Sequence, residues 1–270
     1  MERGDEHHAR GFTLRKQGDY EGAVREYGQA LKHNPNHFKA LFNRGFALEK
    51  LGDHDRAIND YTKALQLNPD NSFTLYNRGI SRDKRGDIEG AIEDFTRAIA
   101  LSSQNNPDCF HNRGFCFRKL GNLERAIEDY SAAIELQPDH FKAWYNRGFC
   151  LDQLGRHEEA IEDYTKAIEL RPNNPSAYHN RGSAYDKIKR HREALEDFNR
   201  VVEMQQQNQF MQKQQLLGVY SNGNRPPSTS SLSSRPSSVS SDASILMRFR
   251  FSCYFDKIDS FFLSFYLSCF

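Results

Sequence analysis

Across 270 residues the chain is 37% hydrophobic and 27% charged, and 37 lysines and arginines nearly cancel 36 aspartates and glutamates. That balance creates no large field of one sign, which argues against a bulk nucleic-acid partner. No run reaches the ~18 apolar residues that would cross a bilayer, so no membrane partner is expected; the scattered cysteines form no CxxC pair, and Met1 to Arg10 has no apolar leader. Together these point to free thiols in a reducing, cytoplasmic setting.

The chain resembles itself at a fixed period, which decides how everything else is read. Arg-Gly recurs with its glycines at Gly11, Gly45, Gly79, Gly114, Gly148 and Gly182, at spacings of 34, 34, 35, 34 and 34. Six copies follow, over 4–37, 38–71, 72–106, 107–140, 141–174 and 175–208. In the second copy Leu41, Gly45 and Leu48 share one helical face, and Ala57, Ile58, Tyr61, Ala64 and Leu65 form a second stripe, so each copy reads as two antiparallel helices. Gly52 suits a left-handed helix end and Asp53 the cap of the next helix; Gly18-Asp19, Gly86-Asp87 and Gly121-Asn122 repeat the device. Pro35, Pro69, Pro138 and Pro172 end their copies. Gly45 and Ala57 lack bulk, which predicts close approach of the two helices. The third copy departs with Ser103 in the proline position and one extra residue before Pro107. The sixth departs with Lys189 for the turn glycine and Val201 for a small residue, as a terminal repeat would.

Beyond the repeats the composition changes twice. Residues 209–220 are expected to prolong the last helix and cap the stack, and the Ser/Pro-rich stretch 221–244 to be a disordered linker. The aromatic-rich tail 245–270 reads either as a weak membrane or partner-docking segment or as one without a role.

The series Trp144, Gly148, Leu151, Ala160, Tyr164, Ala167 and Pro172 resembles the tetratricopeptide repeat (TPR) consensus, and the likeness covers roughly residues 4–208. The Asn-Arg-Gly form is similar to the subgroup that includes tetratricopeptide repeat protein 6. This resemblance implies an all-α fold, a right-handed α-solenoid of six helix-turn-helix repeats with a disordered C-terminal tail. It also implies a non-enzymatic scaffold or adaptor that binds an extended peptide in a concave groove lined by the first helices.

Three rows of side chains stand out along that expected groove. Asn43, Asn77, Asn112, Asn146 and Asn180 form an amide ladder, able both to donate to and to accept from a peptide backbone. A similar ladder in the repeat region of O-linked N-acetylglucosamine transferase implies substrate gripping; the alternative is that these amides bond between repeats. Lys16, Lys50, Lys84, Lys119 and Lys187, with Lys39 and Lys142 nearby, accompany Phe46, Phe115 and Phe149. They suit a protein or peptide ligand with acidic groups and hydrophobic anchors, or else a solvated face of mixed charge. A chaperone-tail clamp would need lysine just before the ladder and asparagine three positions after it. Phe42, Tyr76 and Tyr145, and Phe46, Ile80 and Phe149, stand there instead. The third row pairs Arg44, Arg78, Arg113, Arg147 and Arg181 with Asp60, Asp94, Asp129, Asp163 and Asp197, a spacing expected to bridge the two helices of a repeat. The histidines fit no HExxH, and phosphate-loop and nucleophile-elbow signatures are missing, so neither an enzyme nor a metal or cofactor is expected. Function then divides between an adaptor and the substrate-recognition arm of an enzyme complex of the transferase or co-chaperone type.

Overall fold

A computed structural model of the chain describes residues 2–102 and 106–222. Of the expected linker 221–244, the first two residues end the last helix and the rest, with the tail 245–270, lies outside the described residues. Over the first unit, Met1–Leu216, helices pair in sequence order: α1 (Glu2–Lys16) with α2 (Tyr20–His33), α3 (Phe38–Lys50) with α4 (His54–Leu67), and α5 (Ser72–Arg85) with α6 (Ile88–Leu101). They continue as α7 (Pro107–Lys119) with α8 (Leu123–Leu136), α9 (Phe141–Gln153) with α10 (His157–Leu170), and α11 (Pro175–Lys187) with α12 (His191–Asn222). No helix among the described residues is long and apolar enough to cross a membrane.

Local chemistry sets the breaks. Gly18, Gly52, Gly86, Gly121 and Gly155 all take positive φ, where a side chain would be strained. Lys189 occupies the equivalent turn at φ 62, so the sixth repeat keeps the geometry without the glycine. Asp19, Asp53, Asp87 and Asn122 then accept from the backbone N–H three residues on, capping α2, α4, α6 and α8. Arg156 begins α10 with no side-chain cap. The last helix runs through 209–220, but its residues 205–215 are exposed on every side.

Within a repeat, the glycine of the first helix lies under an aromatic ring of the second. A Cβ on Gly45 would stand 2.9 Å from the Tyr61 ring, and one on Gly79 2.8 Å from Phe95. Tyr27, Tyr61, Tyr130 and Tyr164 are fully buried as a result, surrounded by alanines that leave them room. Each first helix also touches the first helix of the next repeat, from α1 to α11, whereas among the described residues α2, α4, α6 and α8 touch only first helices. The first helices therefore crowd the inner side of the stack and the second helices spread along the outer side. The array is a curved α-solenoid.

A guanidinium fixes four of the five joints. Arg78 donates from Nε and Nη2 to Asp94 in its own repeat (2.9 and 2.6 Å) and from Nη1 to Thr62 of the repeat before (3.1 Å). Arg113, Arg147 and Arg181 grip Asp129, Asp163 and Asp197 in the same two-pronged way and reach back to Thr96, Ser131 and Thr165. Arg44 binds Asp60 at 2.6 and 2.7 Å. Burial pushes the carboxyls of Asp129 and Asp163 above their usual range, with the arginine hydrogen bonds acting the other way. Desolvation therefore offsets much of the attraction, and the damage lies in removing one partner. Asp129→Ala strands the Arg113 cation, and thermal unfolding followed by circular dichroism should show a loss of about 3 kcal/mol. An unchanged melting temperature contradicts the bridge.

Candidate functional site

The amide ladder faces neighbouring repeats with its donors. Asn43 Nδ2 donates to His8 Nε2 (3.1 Å), Asn112 to Tyr76 Oη (3.2 Å), Asn146 to His111 Nε2 (3.1 Å) and Asn180 to Tyr145 Oη (2.9 Å). Asn77 instead donates to the Phe73 carbonyl in its own helix (2.7 Å), because Phe42 stands in the column that elsewhere supplies an acceptor. The expected donor-and-acceptor ladder is thus half spent. The carbonyl oxygens of Asn43, Asn77, Asn146 and Asn180 have no donor among the described residues, while that of Asn112 takes the His111 Nδ1–H at 3.1 Å.

The lysines divide. Lys50 lies 3.3 Å from Glu49, Lys119 2.7 Å from Asp83 and Lys187 2.6 Å from Asp152, so these charges are already met by neighbouring acids. Lys39, Lys84 and Lys142 are exposed without an ion pair among the described residues. The phenylalanine faces are occupied as well. Arg15 and Lys50 stand over Phe46, Arg118 and Lys119 over Phe115, and Arg118 again over Phe149.

Between α5, α7 and α9 these rows enclose a hollow of ≈ 530 Å³. Lys84, Asn112, Phe115, Lys142 and Asn146 line it together with His111 and two acids, Asp83 and Asp108. Phe73, 70% exposed, lines an adjoining hollow that shares Tyr76 with this one.

Residues 38–71, 107–140 and 141–174 match a family model described as tetratricopeptide repeat, 60–93 and 163–196 match a second of that description, and 11–52 match one described as TPR repeat. The chain belongs to the tetratricopeptide repeat family. Among curated proteins, none matches this TPR chain in sequence. Among solved structures it is similar to MamA at 28% identity and a TM-score of 0.59, over 63% of this chain and 92% of that one. It is similar too to YrrB, described as a TPR protein with an unusual peptide-binding site, at 24% identity and a TM-score of 0.58, covering 66% of this chain and 92% of that one. A TPR protein from Parabacteroides merdae shares the fold at 20% identity with a TM-score of 0.65, over 76% and 80% of the two chains.

Sequence reasoning missed a polar relay through this TPR array. Asn146 donates to His111, His111 Nδ1–H to Asn112, and Asn112 to Tyr76, joining three successive first helices. His8, Asn43 and His37 repeat the arrangement of His111, Asn146 and His140, with imidazole centroids 5.0 and 5.1 Å apart. Comparing the chain with itself three repeats apart would have exposed this, since Asp5, His8, Phe12, Arg15 and Lys16 recur as Asp108, His111, Phe115, Arg118 and Lys119. Cys109 and Cys116 are buried thiols whose pKa desolvation pushes up to about 12, so neither is a nucleophile.

Burial lowers His111 from 6.5 to about 4, aided by the neighbouring His140 and Lys142 side chains, while the Asn112 hydrogen bond and Asp108 act in the opposite direction. The neutral ring is also what the relay needs, because Nε2 must accept. With the folded pKa below the unfolded one, the unfolded chain binds the extra proton, so stability from this site is present above pH 6.5 and is lost as pH falls towards 4. Melting temperatures measured across that window should fall less steeply for His111→Gln than for the wild type. Parallel slopes contradict the assignment.

Proposed function

We propose that the chain is a scaffold that holds an extended, acid-bearing segment of a partner protein along the concave side of the array, anchored in the hollow between α5, α7 and α9. What carries this reading is the convergence there of two unpaired cations, Lys84 and Lys142, with the Asn146 amide and the half-buried Phe115. Open carbonyls on Asn77 and Asn146 can accept N–H groups from a passing main chain, a mode of recognition that tolerates many sequences. Exposed Phe73 offers a contact for an apolar anchor, and the cations select carboxylates beside it. Buried, reduced Cys109, Cys116 and Cys150 suit work in a reducing compartment such as the cytoplasm.

Peptides selected from a random displayed library against the purified chain should be rich in Asp and Glu. The double substitution Lys84→Ala, Lys142→Ala should weaken them roughly tenfold in fluorescence anisotropy. Because both side chains are exposed, the melting temperature should not move. Equal affinity for the two proteins excludes this groove as the site.

A further inference from the structure

The first joint of the solenoid lacks a part that the others have. At the other four, the arginine Nη1 donates to a hydroxyl of the preceding repeat, at Thr62, Thr96, Ser131 and Thr165, over 2.9 to 3.1 Å. The same column places Gly28 opposite Arg44, so Arg44 keeps only its two bonds to Asp60 and its Nη1 finds no hydroxyl. A Cβ built on Gly28 would lie 3.8 Å from that Nη1 and meet nothing else, so the floor of the joint is vacant rather than collapsed.

Above that floor opens a cleft of ≈ 740 Å³ between α2, α3 and α4, on the outer side of the curve. Its cations are Arg25, Lys32, Arg44, Arg56 and Lys63, and its lining contains no carboxylate. Arg44 is held by Asp60 and Arg56 by Asp53, but Arg25, Lys32 and Lys63 have no ion pair among the described residues. The corresponding cleft at Arg147 is built differently: Ser131 fills the hydroxyl position, and Glu159 and Glu162 line the walls. In the columns of Arg25 and Lys32, repeats four to six carry Glu128 and Glu135, Glu162 and Glu169, and Glu196 and Glu203.

We propose that this outer cleft is a binding site for a phosphate monoester borne on a side chain of a partner protein. A doubly charged, multi-oxygen group can take the free Arg44 donor with one oxygen and face several cations with the rest, which a single carboxylate cannot do. Val24, Leu31 and Leu67 on the same walls give apolar contact to residues flanking the phosphate. A nucleic acid would need the positive track to continue along the outer face, and the glutamates of the later repeats reverse it. The site is independent of the concave groove and does not rest on its reading.

The test uses the full chain and follows the Arg44 Nε–Hε resonance by NMR. The probes are inorganic phosphate and a short acetylated, amidated peptide with leucine on each side of a phosphoserine, compared with its serine and glutamate counterparts. The phosphopeptide should give a saturable shift and bind more tightly than the other three. Gly28→Thr, which restores the hydroxyl of the other joints, should weaken it about tenfold while the melting temperature holds or rises. Arg25→Gln with Lys63→Gln should weaken it similarly without loss of fold, since both side chains are exposed. The proposal is overturned if Arg44 does not respond, if Gly28→Thr binds as well as the wild type, or if inorganic phosphate binds as tightly as the peptide.

Discussion

A single guanidinium touching three helices is the constraint on which the architecture depends. Arg147 holds Asp163 on the second helix of its own repeat and Ser131 on the second helix of the repeat before, while itself belonging to α9. Such a contact sets the separation of neighbouring second helices from the outside, and the glycine-under-aromatic contact sets how close the two helices of one repeat can come. With outer spacing held wide and inner spacing narrow, stacking must curve, and the curve supplies a groove on one side and a row of clefts on the other. The fold's two surfaces are thus tied to one side chain repeated at four of the five joints.

The same economy governs the groove. An amide between repeats that spends its N–H groups on an imidazole or phenol of the previous repeat satisfies a half-buried polar group and still leaves a lone-pair oxygen. His111 shows how tightly this is set. Its burial favours the neutral ring, the neutral ring accepts from Asn146, and its remaining N–H goes to Asn112. Recognition of a ligand and cohesion of the stack therefore share side chains, which is why the exposed lysines report on binding more cleanly than the asparagines do.

Much of this was legible in the sequence because it is local or strictly periodic. The turn glycines, the Asp and Asn caps and the arginine–aspartate spacing repeat within one copy, so a single period exposes them. The ladder's partners were not legible in the same way. His8, Phe42, Tyr76, His111 and Tyr145 share a column whose chemistry changes from repeat to repeat, and it is this column that decides whether an asparagine bonds across the joint or to its own helix. For the lysine row the sequence left two readings open, and which lysines an acid meets depends on the fold: Lys119 pairs with Asp83 of the preceding repeat, whereas Lys84 and Lys142 have no ion pair among the described residues. Gly28 in place of threonine is a one-residue departure whose meaning appears only once Arg78, Arg113, Arg147 and Arg181 show what the hydroxyl does.

The most direct test of the account is a double-mutant cycle at one joint. Ser131 and Asp163 both bond Arg147, so Ser131→Ala and Asp163→Asn, measured singly and together by denaturant unfolding, should show a coupling of about 1 kcal/mol. That coupling should vanish when Arg147 is replaced by Met. Simple additivity with Arg147 in place would mean that the guanidinium does not tie the three helices together, and the explanation of the curve would fail with it.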